Sequence, residues 1–480
     1  MKTIFDKSVA GREGCWPCEG MAEEAYIPSE LLRSGEIGLP SASELDVVRH
    51  FTKLSQRNFG VDGNFYPLGS CTMKYNPKFT ENAAALPGFT RLHPVLPQLQ
   101  GAGGLCQGAL EVMYETESLL SELTGMSAYT LHPMAGAHGE LTGVMLMAAY
   151  HKDKGNKKTK IIVPDSAHGT NPASAAIAGY EVISIESRDG IVDPKALAEV
   201  LDDQVAGMMM TCPNTLGLFE KHLPEIVRML REVDALLYYD GANLNAIMGK
   251  MRVGDVGFDI VHLNLHKTFA TPHGGGGPGS GPVGVSEKLV PYLPISRVAK
   301  QEDGQFFLDY NYPKSIGYIS PFYGNFGVVL RAYAYILRLG GPGLARATEN
   351  AVLAANYMRK RLADHFEVPY NRICMHEFVA SASAQAEKGI RALDIAKALL
   401  DKGHHAPTVY FPLIVPESIM IEPTETENKE TLDAFIDDLI DIATMVDTNP
   451  DAIHAAPVTL PVTRLDETKA ARSMELTDDL

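Results

Sequence analysis

The amino-acid sequence predicts an α/β protein in which a large α/β domain is followed by a smaller C-terminal α+β domain. Three observations carry that prediction. Between residues 105 and 290, helical segments alternate with five short apolar runs, at 160–163, 181–185, 207–211, 235–239 and 259–263. Each run is bounded by Pro, Gly, Asn or Asp and suits a strand buried on both faces of a parallel sheet. From about residue 325 the pattern changes to long helices, two strand-like runs and a further helix, which marks a separate α+β unit. The chain has 480 residues, 45% hydrophobic and 21% charged, an ordinary globular composition at about three times the usual ~150 residues per domain.

Taken in order, residues 1–64 form an N-terminal arm with a few helices. Ser29 has the spacing of a capping residue, and 42–56 has helical apolar spacing. The large domain is expected over 65–325. It opens with a stretch to residue 97 rich in Pro, Gly and Asn, where Tyr66-Pro67-Leu68-Gly69-Ser70-Cys71-Thr72-Met73-Lys74 reads as a polar loop. A long loop inside a compact protein is commonly functional. A helix is expected over 141–151. The small domain, 326–450, should hold helices at 327–339 and 344–364 separated by Gly340-Gly341-Pro342-Gly343, strands at 377–381 and 408–415, and a helix at 430–446. Residues 451–480, with Pro, charges and little periodicity, read as an extended tail.

The charge balance narrows the function. Lys and Arg number 42 against 59 Asp and Glu, a net charge of −17 that repels phosphate backbones and anionic membrane surfaces. Nucleic acid and membranes are therefore not expected as partners. No apolar run reaches membrane-spanning length and the start lacks an apolar leader core, so a cytoplasmic location is expected. Six irregularly spaced cysteines make no disulfide framework. Cys15 and Cys18 alone have Cys-x-x-Cys spacing, which suits a redox dithiol or half a zinc site, and nothing nearby completes the zinc site.

In an open α/β sheet the ligand lies beyond the carboxyl ends of the strands, so the residues after each run are the ones to examine. The run ending at Tyr239 is followed by Asp240-Gly241-Ala242-Asn243, and the next leads to Asn264-Leu265-His266-Lys267-Thr268-Phe269. A carboxylate and a lysine at adjoining strand ends suit pyridoxal 5'-phosphate (PLP): Lys267 as the Schiff-base lysine and Asp240 holding the pyridine nitrogen protonated. A structural salt bridge is the alternative. Ala135, Gly136 and Ala137, in a run of small residues before a helix, could present backbone N–H groups to a phosphate or form an ordinary turn. His168, after the first run, could stack on a cofactor ring or simply cap a turn. Cys212-Pro213-Asn214-Thr215 offers amide and hydroxyl groups, Asn214 foremost, that could orient a ring hydroxyl or serve the turn. Ala242 and His266, beside Asp240 and Lys267, complete the expected cofactor contacts. The Gly-rich run from His273 to Gly279 lacks a nucleotide-loop pattern and suits close backbone approach at a subunit interface.

Three longer segments carry a resemblance. Asn64 to Lys74, Asp165-Ser166-Ala167-His168-Gly169-Thr170-Asn171-Pro172 and Asn264 to Phe269 resemble the PLP-dependent glycine decarboxylases, the P-protein family of the glycine cleavage system. The likeness runs from about residue 27 to 472 and is to the C-terminal half of the long single-chain form, which is subunit 2 of the two-subunit form. It includes Ile421-Glu422-Pro423-Thr424-Glu425-Thr426 and Arg464-Leu465-Asp466-Glu467. The resemblance implies a fold-type-I, aminotransferase-like architecture with Lys267 as the cofactor lysine and Asp240 as the pyridinium partner. It also implies His168 as the stacking residue and Ala135, Gly136 and Ala137 as the phosphate loop. The implied activity is that of an oxidoreductase: release of carbon dioxide from glycine and transfer of the aminomethyl group to the lipoyl arm of H-protein. The implied partner is subunit 1, two copies of each chain forming a heterotetramer. The Cys15 and Cys18 pair departs from the family pattern. Another fold-type-I PLP enzyme, an amino-acid decarboxylase or cysteine desulfurase, and a non-catalytic partner subunit are the competing readings. The loop from Tyr66 to Lys74 is expected either on the wall of the substrate or lipoyl-arm passage or at an interface.

Overall fold

The computed structural model describes residues 2–12, 14, 28–35, 38–99, 102–275 and 277–474. Cys15 and Cys18 lie outside them. The centre is a seven-stranded sheet whose strands run, in spatial order, Ala128–Thr130, Val283–Val285, Ile260–Leu263, Leu236–Gly241, Val205–Thr211, Lys160–Pro164 and Glu181–Ile185. The last five are mutually parallel and are the five runs expected from the sequence, within two residues at each end. Val283–Val285 pairs antiparallel with Ile260–Leu263, and Ala128–Thr130 antiparallel with Val283–Val285. These two strands escaped the sequence because three residues are too short to show a period.

Burial on both faces explains the apolar runs of the four inner parallel strands, whereas Glu181–Ile185, at the sheet edge, buries only Ile185. Leu237 and Tyr239 point into one core, with Met208 and Met210 of the neighbouring strand. Leu236 and Tyr238 point into the other, with Met209. The first core is covered by the helix Gln107–Thr124, through Leu110, Met113 and Leu120, and by Val328, Val329, Ala332 and Ile336 of the helix Phe326–Leu362. The second is covered by the helix Gly136–Asp153, through Val144, Leu146, Met147 and Tyr150. Each such fully buried side chain contributes about 1.5–3 kcal/mol. The architecture is the α/β, fold-type-I arrangement expected.

The long helix bridges two cores. As the sequence suggests, two helical stretches meet about Gly340 to Gly343: the run Phe326–Leu362 is broken by a kink at Gly340, whose φ of 60° and ψ of 176° are not helical. Beyond the kink, Ala355, Met358 and Leu362 enter a separate core with Phe378, Ile395, Leu399, Ile421, Phe435 and Ile436. A three-stranded sheet, Phe378–Ser381, Ser418–Ile421 and Thr408–Val409, lies here with Ser418–Ile421 in the middle.

Three local expectations are corrected. The strand expected over 408–415 stops at Val409, because Tyr410 is left-handed and Pro412 and Pro416 cannot donate to a ladder. The loop-like stretch 65–97 contains the helices Lys78–Ala84 and Pro87–Thr90, the first tied to the long helix by Glu81 and Arg331. The tail is not a plain extended arm. Pro450–Ala455 is a helix that buries Ile453 in the small core, Val458 N and Thr459 N donate to Asp401, and Glu467–Arg472 is a second, exposed helix. Two apolar anchors, Ile453 and Ala456, are too few to make a periodic signal. Among the described residues no helix is long and apolar enough to cross a membrane.

Candidate active site

The parallel strands end at a cavity of 240 Å³ whose lining includes Asp240, Lys267, His168, Ala135, Gly136, Ala137, Ala242 and His266. Asp240, near the end of Leu236–Gly241, is 3% exposed. Its Oδ2 accepts from Asn171 Nδ2 at 3.0 Å and its Oδ1 from the Ala242 N–H at 3.1 Å, with His262 Nε2 3.5 Å from Oδ1. Burial by itself would raise the pKa of this carboxyl, but His262, the Ala242 N–H, Lys267 and Asn171 together hold it below its ordinary value. It is therefore a fixed, ionised carboxylate at the cavity wall.

Lys267 lies in the single turn Leu265–Thr268 that follows the adjoining strand Ile260–Leu263. Its Nζ donates to the Ser70 carbonyl at 2.7 Å and to Asn243 Oδ1 at 3.3 Å. Both partners are neutral acceptors, so the ammonium is positioned at the cavity without a carboxylate in hydrogen-bond contact.

Opposite charge is provided for by the helix Gly136–Asp153. Its cap, Ala135, is extended and no side chain caps its first turn, while the first helical bond runs from Gly139 N to Ala135 O. The leading N–H groups of an 18-residue helix, with its dipole behind them, form a cradle for an anion. Sterics protect the cradle. A Cβ on Gly136 would stand 2.3 Å from Asn264 Oδ1, and one on Gly281 2.1 Å from the Ala135 carbonyl. Gly281 N also donates to Pro133 O at 2.9 Å. Gly279, the last residue of the Gly-rich segment, makes a close approach within the chain, a Cβ there standing 3.2 Å from the Met134 carbonyl, and Gly281 just beyond it presses on Ala135. Gly276 lies outside the described residues.

Around this cavity several buried polar atoms have no protein partner: Asn264 Oδ1, His266 Nδ1 and Glu140 Oε2. Buried polar atoms are ordinarily satisfied, so this arrangement suits a polar ligand. Burial, with His273 and Lys267 nearby, pushes the His266 pKa down to about 3, so its ring is neutral. Burial, with Asp240 beside it, pushes Glu140 up to about 8. Glu140 Oε1 accepts from Thr170 Oγ1 at 2.9 Å, and the same hydroxyl lies 2.9 Å from His168 Nδ1. His168 sits at the exposed edge of the cavity, edge-on to Phe411 at 5.9 Å. Desolvation lowers its pKa against the pull of Asp240. An anion cradle, a buried carboxylate, a presented lysine and a neutral imidazole fit PLP.

The family model described as "Glycine cleavage system P-protein" matches residues 21–305, and "Glycine dehydrogenase, C-terminal domain" matches 347–457. A relative from Caldanaerobacter subterraneus subsp. tengcongensis, "Probable glycine dehydrogenase (decarboxylating) subunit 2", is 58% identical over 452 residues, 94% of this chain and 92% of the relative. The chain belongs to the glycine cleavage system P-protein family. A second relative of the same description, from Desulforamulus reducens, is 55% identical over 98% of each chain. Among solved structures, an inhibitor-bound glycine decarboxylase (P-protein) superposes with a TM-score of 0.71 at 20% identity, covering 87% of this chain and 93% of that one. A glutamate decarboxylase from Lactobacillus brevis superposes with a TM-score of 0.66 at 14% identity, covering 93% and 98%. These two likenesses support the fold.

In this P-protein family chain the structure brings together all but one of the residues singled out in the sequence. Asn214 is the exception, since its side chain locks its own turn: Oδ1 accepts from Leu216 N and Leu218 N, and Nδ2 donates to Gly190 O at 2.6 Å. Thr211 and Thr215, from the same strand end, line the cavity instead. Ser70, from the loop expected on a passage wall or at an interface, also lines the cavity, as do Glu140, Asn243 and Asn264, to which the sequence reading gave no role. Glu140 had a signal, lying one helical turn beyond Gly136 on the same face. The contact between Ser70 and Lys267 had none, because it is made across 197 residues. Lys74, from the same loop, does not line the cavity. Buried, it donates to the Thr268 carbonyl at 2.8 Å and pairs with Glu425 at 2.7 Å.

Proposed function

We propose that this chain is the PLP-bearing subunit of a two-subunit glycine dehydrogenase (decarboxylating), acting with a separate subunit 1 and a lipoylated H-protein in the cytoplasm. The observation that carries this reading is the convergence of Lys267, Asp240 and the uncapped helix end at Gly136 on one cavity, in a chain of the P-protein family. When bound, PLP supplies an electron sink for the pair released as the bond between glycine Cα and its carboxylate breaks. Lys267 would hold the cofactor covalently until glycine takes its place. Asp240, ionised and fixed by Asn171 and the Ala242 N–H, would keep the proton on the ring nitrogen. The N–H groups of Gly136 and Ala137 would hold the phosphate, and His168 would flank the ring. Which bond breaks depends on orientation, so the residues lining the cavity would set the reaction by the way they orient glycine. Carbon dioxide would leave, the freed electron pair would form a carbon–sulfur bond to one lipoyl sulfur as the S–S bond opens, the other sulfur would take up a proton as a thiol, and Lys267 would take back the cofactor as the aminomethyl nitrogen is released.

Two copies of this chain with two of subunit 1 are the assembly we infer, and the lone chain is expected to be inactive or nearly so. The test is glycine-dependent exchange of carbon dioxide with lipoylated H-protein, measured for the chain alone and after adding subunit 1. Recovery on mixing supports the reading. Full exchange by the lone chain contradicts the two-subunit assembly, and exchange independent of glycine or H-protein contradicts the activity.

A further inference from the structure

The turn 70–72, whose Ser70 carbonyl receives Lys267 Nζ, is held by two glutamates from the small three-stranded sheet. Phe378 pairs with Ile421 across antiparallel strands, so Glu377 and Glu422, the next residues outward, face one another beyond that pair. Both are 0% exposed. Ser70 N donates to Glu377 Oε2 at 2.7 Å, and Thr72 N donates to Glu422 Oε2 at 3.0 Å. Thr72 Oγ1 and, at 3.2 Å, Asn245 Nδ2 donate to Glu422 Oε1. The turn needs such support, since Ser70 and Thr72 have φ of 65° and 48°, a conformation costing about 1–3 kcal/mol each in a non-glycine residue.

Hydrogen-bond counting assigns the charges. Glu422 uses both oxygens to accept from three donors, two of them N–H groups that can only donate, an arrangement that suits an ionised carboxylate. A second ionised carboxylate beside it in a dry site is strongly disfavoured, so one proton must be held. Glu377 has the place for it, because Oε2 accepts from Ser70 while Oε1 has no partner and lies 3.5 Å from His376 Nε2. His376 is also fully buried, with both ring nitrogens unpartnered. The other titratable groups facing the pair are Lys267, Cys71 and Cys374. A metal ion would fit this cluster less well, since the Glu422 oxygens are already engaged by three protein donors.

We propose that Glu377 and Glu422 share one proton, carried on Glu377, and that this acid–carboxylate pair is a positioning element fixing the strained turn 70–72 on Lys267. The pair thereby links the small sheet to the placement of the lysine. The direction of titration agrees: burial, then the charge of Glu422, pushes Glu377 far above the carboxylate range, whereas Glu422 rises to about 7. The inference rests on the proposed role of Lys267 but is tested separately from it.

The experiment is infrared spectroscopy of the cofactor-loaded chain at neutral pH, comparing the parent with Glu377→Gln, alongside glycine exchange with subunit 1 and H-protein for Glu377→Gln and Glu422→Gln. The parent should show a protonated carboxyl C=O band that Glu377→Gln removes. Glu377→Gln mimics the neutral acid and should keep near-parent exchange with an unchanged pH profile. Glu422→Gln turns an NH2 group toward donors and should lose about tenfold to a hundredfold, the worth of one or two charged hydrogen bonds. Equal losses in both variants, absence of the band, or stoichiometric metal in the purified protein would overturn the proposal. If Glu422→Gln does not fold, the band in the parent and its loss in Glu377→Gln decide alone. A pyridoxyl group mapped to another lysine would refute the role of Lys267 while leaving the infrared result standing.

Discussion

Asp240 and Lys267 stand at the ends of neighbouring strands, each placed by its own strand, whereas the turn 70–72 that meets Lys267 is shaped by residues far away in the chain. The strand-end region is rigid because Leu236–Gly241 is buried throughout and hydrogen-bonded on both sides. The turn is held by Glu377 and Glu422 and, through the neighbouring Lys74, by Glu425, three glutamates that lie 300 and more residues away in the chain. The difference teaches that the groups proposed to do the chemistry are local features of the sheet, and that the turn meeting Lys267 is shaped from outside it.

The largest effect expected is at Lys267. Lys267→Ala should lower glycine exchange roughly 10^4-fold or more, the scale on which losing one member of a catalytic unit acts. Its melting temperature should stay near that of the parent, and an alanine variant that still binds PLP covalently would move the site elsewhere. Next is Asp240→Asn, expected to lose about 10²- to 10³-fold in exchange, as for removal of one preorganised charge contact. Cofactor content measured by absorbance should persist, and near-normal exchange would refute the pyridinium role.

The support side should respond in stability rather than chemistry. Lys74→Met leaves Glu425 with a buried uncompensated charge and should cost about 3–5 kcal/mol of stability, the usual penalty for breaking a buried pair. Urea unfolding measures this, and a loss below about 1 kcal/mol, the level of an exposed pair, would show that the tie is weak. The smallest effect concerns pH. Glu140 has its folded-state pKa raised from 4.5 to about 8, so between those values the folded chain binds more protons than the unfolded one. Stability from this group therefore falls as pH rises through that window. Glu140→Gln should flatten the decline in melting temperature between pH 5 and about 8, and an unchanged slope would assign the decline to other groups.

The sequence revealed the strand-end region because its signals are local. Apolar runs bounded by Asp-Gly or Asn-Leu-His-Lys give the strands and their carboxyl ends together, and small residues before a helix give the anion cradle. The other region was legible only as a polar loop, since the Ser70 to Lys267 contact spans 197 residues. Asn214 was misassigned because an amide after a strand serves a turn as readily as a ligand. The middle strand of the small sheet, Ser418–Ile421, was hidden by its four-residue length and by Pro416 just before it.

The central claim is that Lys267 carries the cofactor at the end of its strand. Mass spectrometry of peptides from the borohydride-reduced, PLP-loaded protein tests it directly. A pyridoxyl group on Lys267, at close to one per chain, is the result predicted here. A pyridoxyl group on any other lysine, or none despite bound PLP, would contradict it.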